Sequence, residues 1–161
     1  MKKTLLLLCT ALIVLTAMTA CRNKDTFGYD ELIVGKWEVT SFYHWSHDFT
    51  DESLSEEVTY TLPDSNYVGY DSTEFNTDGT MRWHRNDRYV DQGLFDDPYV
   101  QANWHISGDT LFFGYEDPMV FTIKQLNSEN LVIENYTNNG HPEYSHHHLE
   151  QIKRYTFKRA Q

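Results

Sequence analysis

Leu32-Ile33-Val34-Gly35-Lys36-Trp37-Glu38-Val39-Thr40-Ser41 changes its apolar period at Gly35, and that change decides the fold. Ahead of the glycine, Tyr29, Leu32 and Ile33 fall at i, i+3 and i+4, the spacing of a short helical turn that Asp30 is placed to cap. After it the period is two. Trp37, Val39, Ser41 and Tyr43 are predicted on one face, with Lys36, Glu38 and Thr40 on the other, the pattern of a half-buried strand.

Working toward the carboxy terminus, short alternating runs continue, each ended by turn chemistry. Asn76-Thr77-Asp78-Gly79 separates 72–75 from 80–84, and Ser107-Gly108-Asp109 separates 100–106 from 111–115. Glu116-Asp117-Pro118 ends that strand, Asn127-Ser128-Glu129-Asn130 joins 119–126 to 131–137, and Asn138-Asn139-Gly140 closes the next. Val100, Ala102, Trp104 and Ile106 face one way, and Gln101, Asn103 and His105 the other. These connections are too short for a parallel crossover, so the strands are antiparallel neighbours. With a weak strand at 58–62 and a last one at 152–159, the prediction is all-β: an up-and-down meander of eight or nine strands. A sheet of that size closes into a barrel, which removes its edges.

The stretch 32–41 is similar to the opening strand of lipocalin-like proteins, whose signature is a Gly-x-Trp at the entrance to the first strand, here Gly35 and Trp37. Phe75-Asn76-Thr77-Asp78-Gly79-Thr80, Trp104-His105-Ile106-Ser107-Gly108-Asp109-Thr110-Leu111 and Tyr155-Thr156-Phe157-Lys158-Arg159 resemble hairpins of lipocalin-like lipoproteins of Bacteroides and relatives. The resemblance covers about residues 30 to 160. It implies a calycin-type barrel in which Trp37 packs across the closed end as a structural residue. The domain is shorter than a typical lipocalin and shows no clear carboxy-terminal helix, so the resemblance leaves open an interior that is small or filled.

Working toward the amino terminus, Lys2 and Lys3 precede an apolar run from Leu5 to Leu15, too short to remain as a spanning helix, followed by Met18-Thr19-Ala20-Cys21. Residues 1–20 read as a signal peptide. Cys21 after small residues resembles the lipobox of bacterial lipoproteins, with Met18 where leucine is commonest. That resemblance implies cleavage before Cys21, acylation of its thiol, a lipidated tether over 21–27 and a barrel domain over 28–161. The membrane is then a partner through the lipid anchor, and the location is the cell envelope, as an outer-membrane lipoprotein. Arg22-Asn23-Lys24-Asp25 holds one acid and matches surface-export signals poorly, so the periplasmic and surface faces both stay open.

The chain carries 13 Lys and Arg against 24 Asp and Glu, a formal net charge of −11 that becomes more acidic once Lys2 and Lys3 leave with the signal. Nucleic acid is excluded as a partner, since no basic cluster or glycine-rich phosphate loop is present. Cys9 leaves with the signal and Cys21 is acylated, so the core is expected to rest on packing without a disulfide.

Three features remain as site candidates. The acidic stretch 44–57 reads as a long loop or lid, with Trp45 and Phe49 turned inward as ligand-binding groups at the barrel mouth, or as a solvated insertion. His141, His146 and His148 have metal-ligand composition, but with no His-Glu-x-x-His helix a solvated edge is the commoner outcome. Ser107 and His105 are catalytic residue types that sit in a hairpin turn with His105 outward, and no nucleophile elbow or converging carboxylate pair accompanies them, so no enzyme activity and no cofactor is expected. The expected function is binding of a small apolar or amphipathic ligand in the barrel mouth. The alternative is an envelope interaction protein, a scaffold with a filled barrel that binds a protein or glycan through its outer surface.

Overall fold

The computed structural model describes residues 28–85, 99–114, 118–138 and 148–161. The expected signal peptide, Cys21 and the expected tether lie outside these residues, as do His141 and His146. A single turn of helix, α1 (Tyr29–Ile33), leads into β1 (Gly35–Asp48), followed by β2 (Glu56–Thr61), β3 (Tyr70–Phe75), β4 (Thr80–Arg85) and β5 (Tyr99–Ser107). The chain continues through β6 (Thr110–Gly114), β7 (Met119–Leu126), β8 (Asn130–Asn138) and β9 (Leu149–Arg159). Gly28 occupies the position before α1 and no side chain caps it, so the capping expected of Asp30 is not made.

From β3 to β9 each strand pairs antiparallel with the next, and β9 pairs back onto β1 from Trp37↔Arg159 to Asp48↔Leu149. That pairing closes the barrel. The other edge of β1 is shared: β2 pairs with Ser41–Ser46 and β3 with Gly35–Glu38. β2 and β3 are therefore one wall strand with an excursion in it. The ladder holds through the Leu62 N–H to the Thr40 carbonyl, leaves over residues 63–71, and resumes at Ser72 opposite Glu38. The result is an all-β antiparallel barrel of eight wall strands with one short helix, the up-and-down closure of a lipocalin-like fold.

Alternation decides what lies inside. Trp37, Phe75, Met81, Leu111, Leu131, Ile133 and Phe157 are all buried and, with Ile33 from α1, form one continuous core. Turning this apolar surface inward contributes ~25 cal/mol per Å² removed from water, the main term that holds a disulfide-free barrel together.

One irregularity changes the reading of the first strand. Val39 faces Phe157, but Ser41 faces Thr156, so Thr40 is an extra residue in a β-bulge, with its Oγ1 donating to the Thr156 carbonyl at 3.2 Å. The bulge reverses the faces beyond it. Phe42 and His44 point inward, whereas Ser41 and Tyr43, expected beside Trp37, point outward. The acidic stretch 44–57 is likewise no loop. Residues 44–48 extend β1, 52–54 form a 3-10 turn with the Asp51 carboxylate accepting from the Ser53 N–H, and 56–57 begin β2.

Candidate ligand site in the barrel interior

The barrel interior has two halves, and the end sealed by α1 explains the Gly35–Trp37 pair. Trp37 is fully buried, and its Nε1–H donates to the Ile33 carbonyl at 2.6 Å, tying the strand to the helix that precedes it. The Arg159 guanidinium lies over the indole at 4.2 Å, and donates from Nη1 to the Val34 carbonyl and from Nε to the Ser128 carbonyl, both at 2.8 Å. Its Nη2 donates to the Leu32 carbonyl, so one side chain satisfies the end of the helix and joins it to the β7–β8 turn. Gly35 has φ +123°, and a Cβ there would stand 2.7 Å from Arg159 Nη1. The backbone angle calls for glycine, and the guanidinium occupies the space a side chain would need. Trp37 is thus held inside the closed end, bonded to the helix and covered by Arg159. Arg159 was missed from the sequence because its partners are carbonyls, which leave no trace in residue type.

The other half is packed with rings. Tyr67, carried by the excursion, is buried and reaches Phe42 at 5.5 Å and Tyr60 at 5.7 Å between ring centroids. Its hydroxyl donates to the Tyr70 carbonyl at 3.1 Å and accepts from the Tyr70 N–H at 3.0 Å. A Cβ on Gly69 would meet that hydroxyl at 2.3 Å, so the excursion folds tightly enough to exclude any side chain there. Trp83 sits at the centre, with Tyr70 at 4.5 Å, Phe113 at 4.9 Å and Tyr155 at 5.2 Å. Burial holds the Tyr67 and Tyr155 phenols well above their ordinary pKa, so both stay neutral.

Polar groups are sparse here and incompletely matched. Among the described residues, three buried side-chain atoms have no hydrogen-bond partner: His44 Nε2, Thr73 Oγ1 and Trp83 Nε1. His44 stands between Val58 on β2 and Lys153 on β9. Burial, with the Lys153 charge beside it, lowers the imidazole pKa, against a smaller opposing pull from Glu56. An aromatic wall with a few isolated polar groups suits an apolar ligand that carries little charge.

The candidates singled out in the sequence lie elsewhere. Because of the bulge, Trp45 is on the outer wall, stacked on His47 at 6.1 Å. His47 meets Phe49 at 4.4 Å, and Phe49, 56% exposed, meets His148 at 4.9 Å. The inward orientation expected of Trp45 and Phe49 is therefore corrected. His148 is exposed, and no group of three His, Cys, Asp or Glu side chains among the described residues is placed to hold a metal ion. His105 stacks flat on Phe112 at 4.7 Å across the β5–β6 pair, outside the barrel as expected. A groove of about 780 Å³ opens on the outer wall where the excursion meets β1, between Lys36, Glu38, Pro63, Asp64 and Asp71. No helix among the described residues is long and apolar enough to cross a membrane.

No protein-family profile matches the chain, and no curated protein matches it. Among solved structures the chain is similar to bovine odorant binding protein in two forms. For a complex with a selenium-containing odorant, the identity is 15%, the match covers 88% of this chain and 78% of the other, and the TM-score is 0.40. For a deswapped triple mutant the identity is 14%, the coverage 80% and 74%, and the TM-score 0.39.

Proposed function

We propose that this chain is a lipid-anchored cell-envelope protein, a Bacteroides-type outer-membrane lipoprotein, whose barrel binds a small apolar or amphipathic ligand. The observation that carries the binding reading is the interior beyond Trp37. There Phe42, Tyr60, Tyr67, Tyr70, Trp83 and Tyr155 stack into a continuous aromatic cluster. Native mass spectrometry of the purified protein tests it: a retained small molecule, or saturable uptake of an apolar fluorescent probe, supports the reading, and a chain that takes up neither refutes it. The anchor rests on the lipobox at Cys21, and Cys21→Ser should release the protein from membranes.

The second reading, an envelope scaffold that binds a protein or glycan through its outer surface, is favoured by the row Trp45, His47, Phe49 and His148 on the outer wall. Stacked rings left in water are unusual unless something covers them. Replacing Trp45 and Phe49 separates the two readings, because it strips the outer row without touching the interior.

A further inference from the structure

Phe42, Tyr60, Tyr70, Trp83 and Tyr155 each project from a wall strand, but Tyr67, packed among them, comes from the excursion. Its side chain is 1% exposed, whereas Ser65, Asn66 and Val68 around it are exposed, Val68 by 62%. The excursion therefore lies on the barrel surface and sends one ring inward. The bonds that shape it are its own: the Tyr67 N–H donates to the Asp64 carbonyl at 3.3 Å, and the Asn66 N–H to the Asp64 carboxylate at 2.8 Å. On its outer side the 780 Å³ groove opens between Pro63 and Asp64 of the excursion and Lys36 and Glu38 of β1. An exposed segment of this kind belongs to the part of a fold that opens most readily.

The place that the Tyr67 ring fills has the features of a site. Its sides are the Phe42 and Tyr60 rings, and at its end the Tyr70 N–H and carbonyl together engage the hydroxyl. Tyr70 belongs to the wall, since it pairs with Arg85 across β3–β4 and its ring packs on Trp83. Its donor and acceptor stay behind when the excursion lifts. What matches them is a phenol, a ring that packs between rings and a hydroxyl that both donates and accepts. A hydrocarbon would leave both main-chain groups of Tyr70 without that partner, and a phenolate has no hydrogen to give the carbonyl. The phenol that sits there now is held neutral by burial.

We propose that Tyr67 is a built-in occupant of the barrel's ligand site, and that a neutral phenolic ligand binds by displacing it as residues 63–69 swing outward. This rests on the proposal that the interior binds small molecules, and names the ligand class and the way in. The room comes from the displacement itself, because the ligand takes the volume that the Tyr67 ring leaves. The same step sets the affinity: a site filled by its own chain binds more weakly by the fraction of time it stands open.

The test uses the full chain with p-cresol, the tyrosine side chain as a free molecule, and p-xylene, which matches its shape with a methyl group in place of the hydroxyl. The wild-type chain should bind p-cresol, and hydrogen exchange read by mass spectrometry should become severalfold faster over 63–69 while 72–75 is unchanged or slower. Tyr67→Gly, which empties the place, should bind p-cresol at least tenfold more tightly than the wild type and regain melting temperature with p-cresol far more than with p-xylene. If that variant does not fold, Tyr67→Phe serves, since it loses both bonds to Tyr70 and should bind p-cresol severalfold more tightly than the wild type. Wild-type binding of p-cresol with exchange over 63–69 unchanged or slowed shows Tyr67 staying in place, and overturns the displacement while leaving interior binding intact. Uptake of p-cresol by the variants but not by a wild type that still takes up an apolar fluorescent probe marks Tyr67 as a fixed core residue and overturns it too. Equal rescue by p-xylene overturns the choice of a phenol. A wild type that takes up neither p-cresol nor the apolar probe overturns the interior-binding proposal, and the displacement with it.

Discussion

At the sealed end of the barrel the indole N–H of Trp37 is bonded to Ile33, and the Arg159 guanidinium spends its donors on Leu32, Val34 and Ser128. In the other half Thr73, Trp83 and His44 keep polar atoms with no partner among the described residues, and the wall strand between β1 and β4 is broken by the 63–71 excursion. The two halves share one core and one set of strands, so the difference lies in polar matching rather than in apolar burial. A fully matched end contributes stability and leaves nothing for a ligand to offer. An incompletely matched interior sacrifices some stability.

The sharpest way to break this comparison is at Trp37. Trp37→Ala should lower stability by ~3–5 kcal/mol, the range for a large aromatic deleted from a core, and chemical denaturation measures it. A loss below about 1 kcal/mol would show that the sealed end does not hold the fold together. Arg159→Met keeps the stem over the indole and removes the fork. With hydrogen bonds from a charged donor contributing ~1.5–3 kcal/mol in all, and partial exposure reducing that, a loss of about 1–2 kcal/mol is expected.

The excursion tests the other half. Gly69→Ala drives a methyl group into the Tyr67 hydroxyl and should cost ~1–3 kcal/mol, as overpacking does, while Tyr67→Phe should cost roughly 1 kcal/mol for the lost bonds to Tyr70. If Gly69→Ala proves as damaging as Trp37→Ala, the excursion belongs to the structural end of the comparison.

Smaller still is a pH effect at His44. Its folded pKa lies below the ordinary imidazole value of 6.5, so the unfolded chain binds more protons as pH falls from 6.5 toward the folded value. Stability is therefore full above about 6.5 and declines through that window. His44→Gln should flatten the denaturation midpoint there. Glu134 titrates lower. Burial opposes its ionisation, but donation from Arg154 and Lys124 outweighs burial and holds the pKa below 4.5, so its contribution is present above that value and is lost as pH drops further. A slope near pH 6 that survives His44→Gln would assign it elsewhere. The smallest stability change is expected for Trp45 and Phe49 replaced together by serine: a loss within about 0.5 kcal/mol and unchanged uptake of an apolar probe, because both rings lie outside the barrel. Reduced uptake would return that segment to the ligand path.

How far the sequence could be read follows the same division. The hairpins from Phe75 to Thr137 were legible because each turn is written locally, in Asn76–Gly79, Ser107–Asp109 and Asn127–Asn130, and the strands between them alternate. Gly35 was legible as the point where the helical period gives way to a strand. The bulge at Thr40 was not, since it depends on the Thr156 carbonyl 116 residues away, and one extra residue reassigns every side chain after it, Trp45 included. Tyr67 was missed for a related reason: its place in the interior comes from a break in the β1 ladder, which no local period records. Thr73 and Trp83 alternate as ordinary core residues, and only their missing partners set them apart.

The β1–β9 seam gives the barrel an order of assembly. Each hairpin from β3 to β9 can form from residues near one another along the chain, but the seam joins Trp37 to Arg159 and Asp48 to Leu149. Such distant pairing carries the largest loop-closure entropy in the molecule. A growing chain can build the wall yet cannot close it until the residues around Arg159 have emerged. Until then β1 and β8 are both open edges, ready to pair with another copy. A chain stopped short of β9 would keep nearly all its apolar residues and still present two sticky margins, so its fate would be association rather than simple unfolding.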